Sequence, residues 1–257
     1  MWTAMARRAE AVISAKAEID YRSVNMAFPG AGIRRFGRVV ATRIPALPDH
    51  VPYNKARGFS EEDKRAFDDV RGFFAEVGVS TSVEVWAEDA TENLHRVLLG
   101  AGLTPAAPTV TLHTRPGGMP AGETPEVQVQ ELDQGHGEYL DVLLDGYGVD
   151  SSAQRFRRML AVEHATPGLR RYLATVDGSP AAAAALFVAG DTSLLAGAAT
   201  LPGFRGRGCQ TALIARRLAD AAACSDLTVV TAAFASASHG NLARQGFQIT
   251  HTRTVWH

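Results

Sequence analysis

The stretch that most constrains this chain is Arg205-Gly206-Arg207-Gly208, between an apolar run ending at Thr200 and an amphipathic run that starts at Cys209. A glycine-rich turn from strand into helix converges successive backbone N–H groups at a helix N-terminus, where the helix dipole is positive. Glycines at 206 and 208 let that backbone approach an anion without interference from a Cβ. Arg205 and Arg207 add charge-assisted donors at the rim. The nearest downstream acid, Asp220, sits at the far end of the helical run, so nothing in the first turn repels an anion. Loop composition alone leaves a phosphate site and a plain tight turn both open. The loop has neither the Gly-Lys-Ser/Thr of a P-loop nor a GxGxxG followed by a strand and an acid, as dinucleotide sites require.

The composition makes that loop a local feature. A formal net charge of −1 over 257 residues supplies no broad basic face for nucleic acid. The longest apolar run, 181–189, is strand-sized and bounded by Pro180 and Gly190, so no membrane span is expected. The amphipathic, charged start of the chain lacks the apolar core of a signal peptide, and a cytoplasmic location is expected. Cys209 and Cys224, the two cysteines, have no CxxC or metal-ligand partner. They read as reduced, and no metal site is expected.

Residues 115–125 hold three prolines and three glycines, which no helix interior or central strand tolerates. The expected organisation is a lobe at 1–115, a linker at 116–126 and a domain at 127–257. In the domain, patterning predicts strands at 127–132, 170–176, 181–188, 193–200, 227–232 and 247–256. Helices are predicted at 137–146, 151–164 (capped by Ser151 or Ser152), 208–223 and 238–245. Asp177-Gly178 reads as the turn of an antiparallel hairpin. The first half predicts a strand at 33–44, a helix at 61–77 opened by Ser60, a strand at 83–86, a helix at 91–100 and a strand at 109–115. Gly100-Ala101-Gly102-Leu103 before that last strand parallels Arg244-Gln245-Gly246-Phe247 before the final one. The parallel suggests a degenerate internal repeat in an α/β (α+β) fold.

With its loop, strands and closing Gly-Phe, the chain resembles the GNAT N-acetyltransferase superfamily. The matching residues are Thr200-Leu201-Pro202, then Arg205-Gly206-Arg207-Gly208-Cys209-Gln210. The strand at 227–232, the helix with Ser238, Asn241 and Arg244, and Gly246-Phe247 follow. The resemblance covers most of 127–257 and is most specific in its last 60 or so residues. Gln210 departs from it, standing where the pattern prefers Gly or Ala. The resemblance implies a mixed, mostly antiparallel sheet flanked by helices, in tandem with a truncated GNAT-like lobe. It implies acetyl-CoA as cofactor, its pyrophosphate held from Arg205 through Gln210. The strand end Ala198, Ala199 and Thr200 would part from 228–232, and the free backbone groups of Ala198 and Thr200 would pair with pantetheine. Ser238 and Asn241 would lie near the sulfur. A small-molecule amine would attack the thioester directly, which leaves Cys209 no nucleophilic role.

Direct attack needs a group to take the amine's proton and an acid for the departing thiolate. Relatives often keep a carboxylate on the strand before the loop, yet 193–200 has none; Leu242 replaces a tyrosine that often serves as acid. Ser238 and Asn241 remain as candidates for the acid, with Ser238 also reading as a helix cap. Candidate bases are Glu138, Tyr139, Tyr147, Asp150, Glu163, His164 and His251. Tyr147 and Asp150 stand out because they fall in the break between two helices. The alanines of 181–185 and 196–199 allow either a bulky acceptor or tight helix packing.

In the first half, the stretch from Tyr53 to Ser60, with Arg57-Gly58-Phe59-Ser60 at its end, occupies the place of the phosphate loop, but Glu61, Glu62 and Asp63 follow at once. Three carboxylates suit a helix dipole and repel a pyrophosphate, so this half is expected to bind no coenzyme A. The missing acid and base keep a non-catalytic acyl-CoA sensor open as an alternative, and a protein N-acetyltransferase is a third reading.

Overall fold

The computed structural model describes residues 2–117, 126–133 and 137–257. The expected linker therefore falls largely outside the described residues. The chain opens with helix α1, Trp2–Ala27, free of Gly and Pro and stopped by Pro29-Gly30. Ala9, Val12 and Ile13 pack it against the sheet, while Tyr21 and Val24 bury further along. Strands β1 (Gly32–Phe36) and β2 (Val39–Arg43) form a hairpin where one strand was expected. Gly37, at φ +61°, reverses the chain between Phe36 and Val39, a conformation that suits glycine. After β3 (Lys55–Arg57), the expected helix at 61–77 splits into a 3-10 segment, Glu61–Ala66, and α2, Phe67–Ala75. Then come β4 (Val83–Trp86), α3 (Glu92–Gly100) and β5 (Thr109–Thr114).

The second half follows the expected order closely. It comprises β6 (Val127–Leu132), α4 (Gly137–Gly146), α5 (Gln154–His164), β7 (Arg170–Val176), β8 (Ser179–Ala189) and β9 (Thr192–Thr200). It ends with α6 (Cys209–Ala221), β10 (Leu227–Ala233), α7 (Ala237–Arg244) and β11 (Gln248–Trp256). Asp177 (φ +51°) and Gly178 (φ +76°) make the β7–β8 turn. Neither Ser151 nor Ser152 caps α5, whose N-cap is Ala153.

The described strands form one sheet in the order β1-β2-β3-β4-β11-β5-β10-β9-β8-β7-β6. It contains the repeat twice. The runs β1-β2-β3-β4 and β7-β8-β9-β10 each end in a parallel step, β3 with β4 and β9 with β10. Beyond that step each half receives the other's last strand: β11 pairs with β4, and β5 with β10. The two exchanged strands pair antiparallel at the centre.

On β8, Ala181–185 are fully buried, with Ala182 and Ala184 under α6 and Ala183 under α4. Their small side chains serve close helix packing, not an open acceptor cavity. Among the described residues no helix is long and apolar enough to cross a membrane.

Candidate acyl-CoA cleft

The parallel pairing of β9 and β10 covers only Thr192 to Leu194 against Leu227 to Val229. Beyond it the strands part, at 195 and 230 rather than at 198. The opening holds a cavity of about 290 Å³ lined by Ala198, Ala199, Thr200, Ser238 and Asn241, with Tyr147 and Arg217 at its walls. An adjoining cavity of about 410 Å³ lies over the start of α6 and shares Thr200, Arg205, Gln210 and Asn241 with the first. Both include residues singled out in sequence.

At the start of α6, Gly206 and Gly208 have φ +78° and +81°, left-handed conformations that L side chains rarely adopt. Gly208 is the N-cap, no acid occupies the first turn, and Ala212 N–H is the first to bond back, to Gly208 O. The N–H groups of Cys209, Gln210 and Thr211 therefore have no helical acceptor. Arg205 lines this cavity, and so does Arg244 from α7. Arg207 does not: its guanidinium pairs with Asp177 (3.1 Å) and Glu126 (3.3 Å) on the far side, so only its backbone belongs to the loop. Gln210 does cross the opening, its amide donating to Thr200 Oγ1 at 2.9 Å. Cys209 is buried, and burial raises its thiol pKa.

The rim nearest the acceptor side is shaped by a bulge. The register of β8 and β9 shifts between Ala184 and Ala185, leaving Gly197 extra, at φ +33°. A Cβ there would lie 2.6 Å from His164 Cε1 and 3.6 Å from Tyr147 Oη. Tyr147 is 46% exposed, yet its hydroxyl end is sunk beside the Ala198 N–H, and burial pushes its pKa up to about 12. At neutral pH it is a phenol, able to donate. His164 shares a 2.8 Å hydrogen bond with Tyr139, and burial lowers its pKa to about 4.

Other candidates lie elsewhere. Asp150 is exposed, and its carboxylate accepts from Ser152 N–H at 2.7 Å; it is a turn former (an Asx-type turn). Ser238 is no cap either, since Ser236 fills that role by accepting from His239 N–H. Glu138 is exposed, and His251 pairs with Glu10 at 2.8 Å. Glu163 lies among Tyr53, Asp20, Tyr147 and His164, near enough that its charge raises the pKa of each, but it does not line the cleft. No group of three or more His, Cys, Asp or Glu among the described residues could hold a metal ion.

Arg217 was missed. It is 2% exposed and lines the cleft. Nε donates to Leu213 O and Nη1 to Ala185 O, both at 3.0 Å. It has no ion pair among the described residues, and burial lowers its pKa to about 10. A signal was present: Arg217 falls in the stripe Leu213, Ile214, Leu218 and Ala221, which should be apolar throughout.

The comparisons with solved structures decide the fold. A functionally unknown conserved protein from Staphylococcus epidermidis superposes with TM-score 0.67 at 13% identity, covering 89% of this chain and 94% of that one. A GCN5-related N-acetyltransferase from Kribbella flavida gives 0.64 at 20% identity, with 94% of each chain covered. A tandem GNAT protein from the clavulanic acid biosynthesis pathway gives 0.63 at 13%, over 93% of this chain and 86% of that one. The fold is that of the tandem GNAT proteins. No family profile and no curated protein matches the chain. The likeness spans both halves of the chain.

Proposed function

We propose that the chain is an N-acyltransferase that takes an acetyl group from acetyl-CoA to an amine of a small molecule. One coincidence carries this reading: the free N–H groups of α6 open directly onto the gap where β9 and β10 part. An anion at the first and a pantetheine arm along the second would be joined through Thr200 and Gln210. The residues fit coenzyme A. Backbone N–H groups 209–211 with Arg205 and Arg244 would hold its phosphates, and Ala198 to Thr200 would present an unpaired strand edge. When bound, coenzyme A supplies an acyl thioester that an amine can open without an enzyme nucleophile.

Tyr147, protonated and beside the Ala198 N–H, is the group we assign to protonate the thiolate. Arg217 gives the cleft a positive charge with no carboxylate paired to it among the described residues, placed to favour negative charge developing on the thioester oxygen. Residues 1–115 form, on this reading, a lobe that binds no coenzyme A. The turn that corresponds to the phosphate loop is filled by its own side chain, Asp63 accepting from the Ser60 N–H at 3.0 Å. Its neighbour Glu61 is held by Thr91 and Asn93.

A second reading has its own support: among the described residues no carboxylate lines either cavity, so acyl-CoA binding without turnover is the alternative. Thiol release from acetyl-CoA, followed with a panel of polyamines, amino acids and aminoglycosides, separates the two. Sustained, amine-dependent release supports the enzyme; tight binding with no release for any amine supports the sensor.

A further inference from the structure

We infer that the acceptor, on the acyltransferase reading above, is a diamine or polyamine whose second, non-reacting ammonium is held by Glu163, beyond Tyr147 from the thioester. The cleft reaches towards this carboxylate at the Gly197 bulge. Because residue 197 has no side chain, His164 Nε2 and Tyr147 Oη flank one point, 3.1 Å and 3.6 Å from where a Cβ would stand. Tyr147 lines the cleft. His164 uses Nδ1 for its bond with Tyr139, and Nε2 has no hydrogen-bond partner among the described residues. Glu163, the residue before it at the end of α5, is half-buried. The Tyr53 hydroxyl lies beside this carboxylate, and its charge is felt at Tyr147 and His50. His50 stacks on Tyr53 with ring centroids 5.6 Å apart and meets Phe156 edge-on at 4.9 Å. A carboxylate among aromatic rings suits an ammonium, and Tyr53 and His50 bring the N-terminal half into the acceptor site.

The charges around Glu163 are one cation short. Lys16 is the ammonium here, and both of its hydrogen bonds go to Asp20, at 2.6 Å. Asp20 also accepts from the Thr166 hydroxyl at 3.0 Å. Glu163 has no ion pair among the described residues. The histidines do not supply the missing charge, because burial lowers the pKa of both His50 and His164 and keeps them neutral. Arg171, buried on β7, gives its Nε to the His164 carbonyl oxygen. Burial, with the charge of Glu163 adding to it, lifts Asp20 to a pKa of about 7: two carboxylates compete for one ammonium. A ligand ammonium against Glu163 relieves that competition.

The two ends of the acceptor therefore meet different surroundings. The reacting amine must enter the cleft, where Arg217 is positive and, among the described residues, no carboxylate lines the wall. That end is bound best as the neutral amine that attack requires. Glu163 does not line the cleft, so the charge it recognises belongs to the other end of the molecule. A distal carboxylate would meet Glu163 and Asp20 and be repelled. A distal hydroxyl would leave Glu163 without a counter-charge.

The terminal diamines of propane, butane and pentane, with the amino alcohols and amino acids of the same lengths, vary only the distal charge. Their binding is measured by calorimetry on the full chain saturated with coenzyme A, and their acetylation with acetyl-CoA. At the preferred length the diamine should bind about tenfold tighter than the amino alcohol or better, and the amino acid should bind weakest. Glu163→Gln should remove the preference, raising KM for the diamine by about tenfold with far less change in kcat. Coenzyme A affinity should not change in this variant, which shows that it is folded. Equal binding of diamine and amino alcohol by the wild type, or preferred binding of the amino acid, would overturn the inference without any variant. An unaltered diamine preference in folded Glu163→Gln would overturn it too. Selective diamine binding without acetylation would support this site and count against the acyltransferase reading. Acetylation of all three acceptors alike would support that reading and overturn this site.

Discussion

Gly197 lies so close to the imidazole of His164 that a Cβ on it would sit 2.6 Å from Cε1. That approach joins the bulge on β9 to the Tyr139–His164 pair behind it. Replacing Gly197 with alanine adds both this clash and a side chain at positive φ. We expect a loss of about 1–3 kcal/mol of stability, measured by denaturant titration, together with loss of acyl transfer. An unchanged midpoint would show that the bulge is not constrained in this way.

The two arginines of the glycine loop should separate. Arg205 faces the cavity over α6, whereas Arg207 is held outside it by Asp177 and Glu126. Arg205→Ala should weaken coenzyme A by about tenfold and Arg244→Ala by a similar factor, while Arg207→Ala should leave affinity within about twofold. Equal losses at 205 and 207 in calorimetry would contradict the assigned geometry.

Arg217 predicts a trade. A buried guanidinium without a counterion is costly to desolvate, so Arg217→Met should leave stability unchanged or raise it by about 1 kcal/mol. The same change should lower turnover more than it lowers coenzyme A affinity. A variant that is less stable yet equally active would make Arg217 a packing residue.

His164 sets a pH dependence. Its pKa in the folded chain is about 4, below the unfolded value of about 6.5. The unfolded chain therefore binds the proton first as pH falls. The contribution of His164 is complete above pH 6.5 and declines as pH drops towards 4, by roughly 3 kcal/mol in all. Burial shifts His50 and His113 in the same direction. In denaturant titrations between pH 7 and 4.5, His164→Gln should flatten this decline, and a slope identical to that of the wild type would refute the assignment.

Much of the second half is legible in its residues because each element is locally determined. Pro202 ends β9, glycines 206 and 208 take left-handed conformations that favour glycine, and Asp177-Gly178 closes its hairpin. The echo between Gly102-Leu103 and Gly246-Phe247 leads into β5 and β11, the two strands that the halves exchange. What sequence pattern could not give is which half each strand joins, since that depends on long-range pairing. The side-chain outcomes were hidden for the same reason. Arg207 turns to Asp177 and Glu126, Asp150 folds back on Ser152, and Arg217 penetrates the core through space left by small residues on β8.

The most direct test of the central claim is calorimetric titration of acetyl-CoA into the wild-type chain and Gly208→Val. Gly208 is the left-handed N-cap of α6, and a β-branched residue at positive φ should displace the N–H groups that face the cavity. The wild type should bind one acetyl-CoA per chain, and the variant should lose binding. Two equivalents bound by the wild type, or undiminished binding by a folded Gly208→Val, would contradict it.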